Sequence, residues 1–194
     1  MSYMTLCVAI AAASWTPMMA QENLWGRIAG SDSQHVGANA DEVMLTPSQR
    51  QSIAKLLKSR QAPWTCDTDD PSGEWLNHLR YGSVALSEAR QVLLVEAGRG
   101  CARGGQGSNG AMWLIRFDGR DPVLLAGPQQ EFGGFLYSVE PQASKGYRDV
   151  IVGWHMSGSE TALSYFRFDG TAYRCIGSAA LQYDEQGIRK IVPR

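Results

Sequence analysis

From Leu79 onward the chain alternates short apolar runs with turn residues: LRYGSVAL, QVLLVEA, AMWLIRF, PVLLA, GFLYSV, DVIVGWHM, ALSYFRF and AYRCIG, followed by a weaker tail. Apolar, β-branched and aromatic runs of this length, bounded by Gly, Asp, Asn and Pro, read as strands, and their close succession is the signature of a β-meander. Asp118-Gly119 and Asp169-Gly170 each follow Arg-Phe. Asp-Gly is favoured where both turn residues need positive φ, so each pair is expected to tip a hairpin.

The runs also repeat. VLLVEA, MWLIRFDG and PVLLAG are paralleled by VIVGWH, LSYFRFDG and AYRCIG, which defines two related hairpin units over about 84–127 and 147–178. The first copy is longer in the Gly-rich stretch around Cys101. Two such units are too few to close a propeller, so together they are expected to form one antiparallel sheet.

One helix precedes the sheet. Thr46 stands before Pro47, and Gln49 follows three residues after the Thr, the arrangement of a capping box with proline in the first turn. Ile53, Leu56 and Leu57 recur at helical spacing, Lys55, Lys58 and Arg60 suit the negative end of the helix dipole, and Pro63 stops the run. The fold expected is therefore α+β: a predominantly antiparallel sheet of about seven to nine strands with one N-terminal helix packed on it. Some of Trp64, Trp75, Trp113 and Trp154 would supply core bulk.

Composition narrows the partners. With 18 basic against 19 acidic side chains, the chain lacks the cationic surface that nucleic acid or anionic lipid would require. The longest apolar stretch, Thr5 to Trp15, is shorter than the roughly 20 residues of a membrane span but fits a secretory h-region. Residues 1–20 are read as a signal peptide cleaved near Ala20, 21–45 as a flexible leader, and 46–194 as a single β-rich domain in the periplasm or outside the cell. An N-terminal core helix is the alternative reading of the first residues.

Without the leader, Cys66, Cys101 and Cys175 permit three different single bridges, and Cys66–Cys101 is preferred. Cys101 also lies between Arg99 and Arg103, whose charges would favour a reactive thiolate.

Catalytic and ligand-binding motifs are sparse. Gly105, Gly107 and Gly110 spell a dinucleotide fingerprint, but a strand follows where a helix is needed, so the stretch reads as a flexible hairpin loop. Asp67, Asp69, Asp70 and Glu74 crowd a turn, yet Pro71 and Gly73 break the calcium-loop spacing. No metal site and no cofactor is expected, and the spacings of zinc sites and of the common hydrolase elbows are missing from the sequence. His155, Ser157 and Glu160 form the one constellation with catalytic residue types, at a strand end and in the adjoining turn.

The stretch from about Val84 to Cys175 resembles small exported bacterial proteins of unknown or inhibitory function. The resemblance is carried by Gln106-Gly107-Ser108-Asn109 before Trp113, by Tyr147 with Asp149-Val150-Ile151-Val152, and by Phe168-Asp169-Gly170 with Tyr173. The hairpins are also similar to isolated FG-GAP-like propeller units, without the calcium loop of those units. Some envelope inhibitors of lysozyme-like enzymes insert a Ser-Gly loop into the target's cleft, which Ser157-Gly158 resembles. This implies a non-catalytic binding protein, an inhibitor or immunity-type protein that meets another envelope protein. Its expected contacts are Trp154, His155, Ser157, Gly158 and Ser159 on one loop and Arg103, Gln106 and Asn109 on another, because exposed loops on a rigid sheet carry recognition. The alternatives are a small envelope hydrolase using His155 and a purely structural envelope module.

Overall fold

The computed structural model describes Trp25 and residues 41–59, 74–98, 109–187 and 189–193. The helix α1 spans Pro47–Lys58, with Thr46 and Gln49 capping each other reciprocally as the sequence predicts. Ten strands form one sheet: β1 (Asp41–Glu42), β2 (Leu79–Val84), β3 (Val92–Ala97), β4 (Gly110–Asp118), β5 (Asp121–Ala126), β6 (Gly133–Ser144), β7 (Tyr147–His155), β8 (Glu160–Phe168), β9 (Tyr173–Tyr183) and β10 (Arg189–Pro193). Every pairing among the described residues is antiparallel. The strand beyond the expected range is β1, two residues too short to leave a sequence pattern.

The order is β1-β2-β3-β4-β6-β7-β8-β9-β10, with β5 attached to β4. The two similar stretches become the meanders β3-β4-β5 and β7-β8-β9. Among the described residues the halves meet in a ladder of two pairs, Gly110 with Gly134 and Ala111 with Gly133. They also share the main core, to which β3 gives Val92 and Leu94, β4 gives Met112 and Leu114, β7 gives Val150 and Val152, and β8 gives Phe166 and Phe168.

Both faces of each half are covered, which explains the unbroken runs VLLV and VIV. Because successive strand residues point to opposite faces, Leu93 and Val95 fall under α1 with Ile53 and Leu57, while Ile151 joins a third cluster with Leu163, Leu181 and Trp25. Trp75 stacks on Trp113 in the helix-side cluster, their rings 5.5 Å apart.

The β4–β5 turn is Gly119-Arg120, one residue later than Asp118-Gly119, since Asp118 pairs with Asp121 and Gly119 alone takes positive φ. Asp118 stays in the ladder, and its carboxylate lies 2.7 Å from Arg90 and 3.0 Å from Arg116. The turn with two positive φ values is instead Lys145-Gly146, between β6 and β7.

Of the stretch read as a flexible leader, Trp25 and residues 41–45 are described. Trp25 is 2% exposed, Asp41 and Glu42 pair with β2, and the Val43 amide donates to the Tyr81 carbonyl. Cys66 and Cys101 lie outside the described residues. Cys175, the one cysteine within them, packs against the main core and is not a free thiol.

Candidate functional site

Of the residues expected to make contact, the described ones, Asn109, Trp154, His155, Ser157, Gly158 and Ser159, lie together at one end of the sheet, where β7 leaves and β8 enters. On this hairpin Trp154 pairs with Ala162 and His155 with Thr161. The turn that follows closes on a single acceptor: the amides of Met156 and Ser157 both donate to the Glu160 carbonyl, at 2.9 and 3.1 Å. Inside the turn the Ser159 amide donates to Ser157 Oγ at 3.2 Å. From β9, the Tyr183 amide donates to the Ser159 carbonyl and Gln182 Nε2 to Glu160 Oε2. The turn is thus braced along its length by backbone and side-chain bonds.

A second segment holds the other side. Asn109, just before β4, donates from Nδ2 to the His155 carbonyl and accepts at Oδ1 from the His155 amide, each at 2.7 Å. The side-chain amide therefore supplies both bonds that a neighbouring strand would otherwise make. The His155 ring stacks on Phe135 with centroids 4.5 Å apart, and its Nδ1 faces Thr161 Oγ1 at 3.4 Å.

Glycines allow these elements to approach. Gly134 has φ +90°, and a Cβ there would strike the Gly153 carbonyl; a Cβ on Gly153 would strike the Phe135 ring. Neither position accepts a side chain without moving backbone or ring. Gly158 at the tip faces open space.

The outcome is an exposed tip on a fixed base. Trp154 and Met156 are 36% and 42% exposed, and Ser157, Gly158 and Ser159 are exposed as well. Of the contacts expected from the inserted loop, Asn109 is brought to His155, while Arg103 and Gln106 lie outside the described residues. Asp67, Asp69 and Asp70 also lie outside them, and Glu74 begins a short 3-10 turn, Glu74–His78. The partners of His155 were not legible from sequence, because Phe135 and Thr161 reach it through strand pairing and Asn109 through its side-chain amide.

A second polar feature lies on the same half. Asp149 on β7 is fully buried, accepts a hydrogen bond from the Tyr165 hydroxyl, and is paired with Arg167, whose Nη2 stands 2.9 Å away. Burial, and then the neighbouring carboxylate, push the Tyr165 hydroxyl up to about 12. Arg167 also lies over the Tyr165 ring, 5.8 Å from its centroid. A separate open depression of about 480 Å³, lined by Ala89, Arg90, Gln91, Leu93 and Phe117, contains none of the candidate residues. Among the described residues no helix is long and apolar enough to cross a membrane.

No protein-family model, curated protein or solved structure matches this chain.

Proposed function

We propose that this is a secreted or periplasmic, non-catalytic binding protein that engages another envelope protein, of the cell-wall hydrolase class, through the β7–β8 turn. The observation that carries this reading is the exposed Trp154–Ser159 tip mounted on a base fixed by Asn109, Phe135 and β9. Pre-organisation of this kind reduces the ordering cost of association, and a half-exposed Trp beside Met is the side-chain chemistry of an interface anchor. His155 supports it too: its backbone is bonded to Asn109 and its ring lies against Phe135, the contacts of a packed strand end. In an oxidising compartment the reading also includes one bridge among Cys66, Cys101 and Cys175; since Cys175 is not a free thiol, the bridge this favours takes Cys175 rather than the Cys66–Cys101 pair first expected.

The test is capture from envelope extract by wild-type protein, Ser157→Arg and Gly158→Asp. Both substitutions fall at exposed positions of the tip, so Gly158→Asp should melt with the wild type and Ser157→Arg, which gives up the Oγ that accepts from the Ser159 amide, within about 1 kcal/mol of it. Loss of a wild-type partner with both variants is the result expected. Equal capture by all three would reject the turn as the contact surface.

A further inference from the structure

The residue that anchors the turn is followed by glycine, and Asn109-Gly110 is a sequence in which no side chain obstructs attack by the next backbone nitrogen. We propose that Asn109-Gly110 is a deamidation site guarded by the bonds to His155, and that its conversion releases the β7–β8 turn.

The chemistry uses this dipeptide and water. The Gly110 amide nitrogen gives up its proton to base and attacks Cγ of Asn109. The Cγ–Nδ2 bond breaks, ammonia leaves carrying the returned proton, and a five-membered succinimide remains. Water then opens the ring at either carbonyl, giving aspartate or isoaspartate.

In the folded chain both ends of the Asn109 amide are engaged by His155, and Gly110 is held opposite Gly134 in the β4–β6 ladder. Nitrogen and carbon can meet only when these contacts open, so the reaction rate follows local opening.

The consequence follows from donor and acceptor counts. A carboxylate still accepts from the His155 amide but has nothing to donate to the His155 carbonyl, which then faces a negatively charged acceptor. Isoaspartate adds a backbone methylene immediately before the two-pair joint of the halves. Either product loosens His155, and with it the Met156 and Ser157 amides that close the turn on Glu160. Only the effect on partner capture rests on the proposed function; the chemistry and the loosening do not.

The full chain is incubated in mildly alkaline buffer, folded and urea-unfolded, and conversion at Asn109 is followed by peptide mass mapping. Conversion should be at least about tenfold slower in the folded chain, with Phe135→Ala, which removes the ring under His155, moving the folded rate toward the unfolded one. In parallel, Asn109→Asp should raise hydrogen exchange at the Met156 and Ser157 amides by about tenfold. Equal folded and unfolded rates would overturn the guard, and unchanged exchange in Asn109→Asp would overturn the release. Neither measurement involves a partner, so a failed capture experiment leaves these results standing and the reverse also holds.

Discussion

Asn109 and His155, 46 positions apart, are joined by two hydrogen bonds of 2.7 Å in which one side-chain amide meets both backbone groups of one residue. The pair ties the start of β4, in one half of the sheet, to the end of β7 in the other. Apart from the shared core, the ladder between those halves has two residue pairs among the described residues. A single side chain therefore adds to that short ladder a second link between the halves, placed at the base of the candidate loop.

Asn109→Ala removes both bonds and leaves the His155 amide and carbonyl without that partner. A loss of about 1–3 kcal/mol is expected, which for a domain of this size lowers the melting temperature by about 2–4 °C per kcal/mol. Thermal unfolding checks it, and a melting point within error of the wild type would remove Asn109 from the support.

Two glycines on the same hairpin system should behave oppositely. Gly134→Ala places a Cβ against the Gly153 carbonyl at a φ of +90°, so it is expected to destabilise by more than about 2 kcal/mol. Gly158→Ala meets open space and should stay within about 0.5 kcal/mol of the wild type. Urea titration of both variants makes the comparison, and similar midpoints would contradict the close packing at Gly134.

These contrasts mark where sequence reasoning stops. The capping pair Thr46–Gln49 and the unbroken run VLLV are local signals, and both appear in the fold where local physics puts them. The exposed turn at Ser157–Ser159 is equally local, since small polar residues between two apolar runs favour a hairpin end. By contrast Asp118-Gly119 misleads: Asp118 pairs with Asp121 in the ladder, and its carboxylate meets Arg90 and Arg116, neither of which the dipeptide announces. The base of the candidate site is less legible still. Phe135 reaches His155 through β6–β7 pairing, and Asn109 reaches it through a side-chain bond that no residue periodicity encodes. Asp149 opens the run DVIV and reads as a strand-end charge, but Tyr165 and Arg167 of the next strand allow it to be buried.

Arg167→Met tests that last arrangement. It strips the charged donor from a carboxylate whose side chain is 1% exposed and leaves the Tyr165 hydroxyl as its described partner. Removing one member of a fully buried pair costs about 3–5 kcal/mol, and since Arg167 is 45% exposed the expected loss is about 2–4 kcal/mol. A urea midpoint unchanged from wild type would mean the pair does not stabilise the fold.

The β8–β9 turn should contribute to acid sensitivity. Asp169 accepts from the Ala172 amide, from Arg174 Nε and from Thr171, and these donors hold its carboxyl well below the ordinary value of 3.8. A carboxyl depressed by folding contributes stability that is present above its unfolded value and is lost as pH falls below about 4. Asp169→Asn should flatten the acid limb of stability against pH. An acid limb as steep as that of the wild type would assign the loss to other groups.

At the alkaline end the sign reverses in mechanism though the direction remains destabilising. The Tyr165 hydroxyl is raised from 10.0 to about 12 by burial and by the Asp149 carboxylate it bonds, and burial also raises Tyr173. Between those two values the folded chain keeps a proton that the unfolded chain has released, so the contribution is complete below pH 10 and is lost as pH rises toward 12. Tyr165→Phe removes this titration along with the bond to Asp149. The variant should therefore be less stable at neutral pH yet lose stability less steeply above pH 10, which urea unfolding across the alkaline range would resolve. Parallel curves for variant and wild type would mean that Tyr165 does not hold its proton more tightly in the fold than in the unfolded chain.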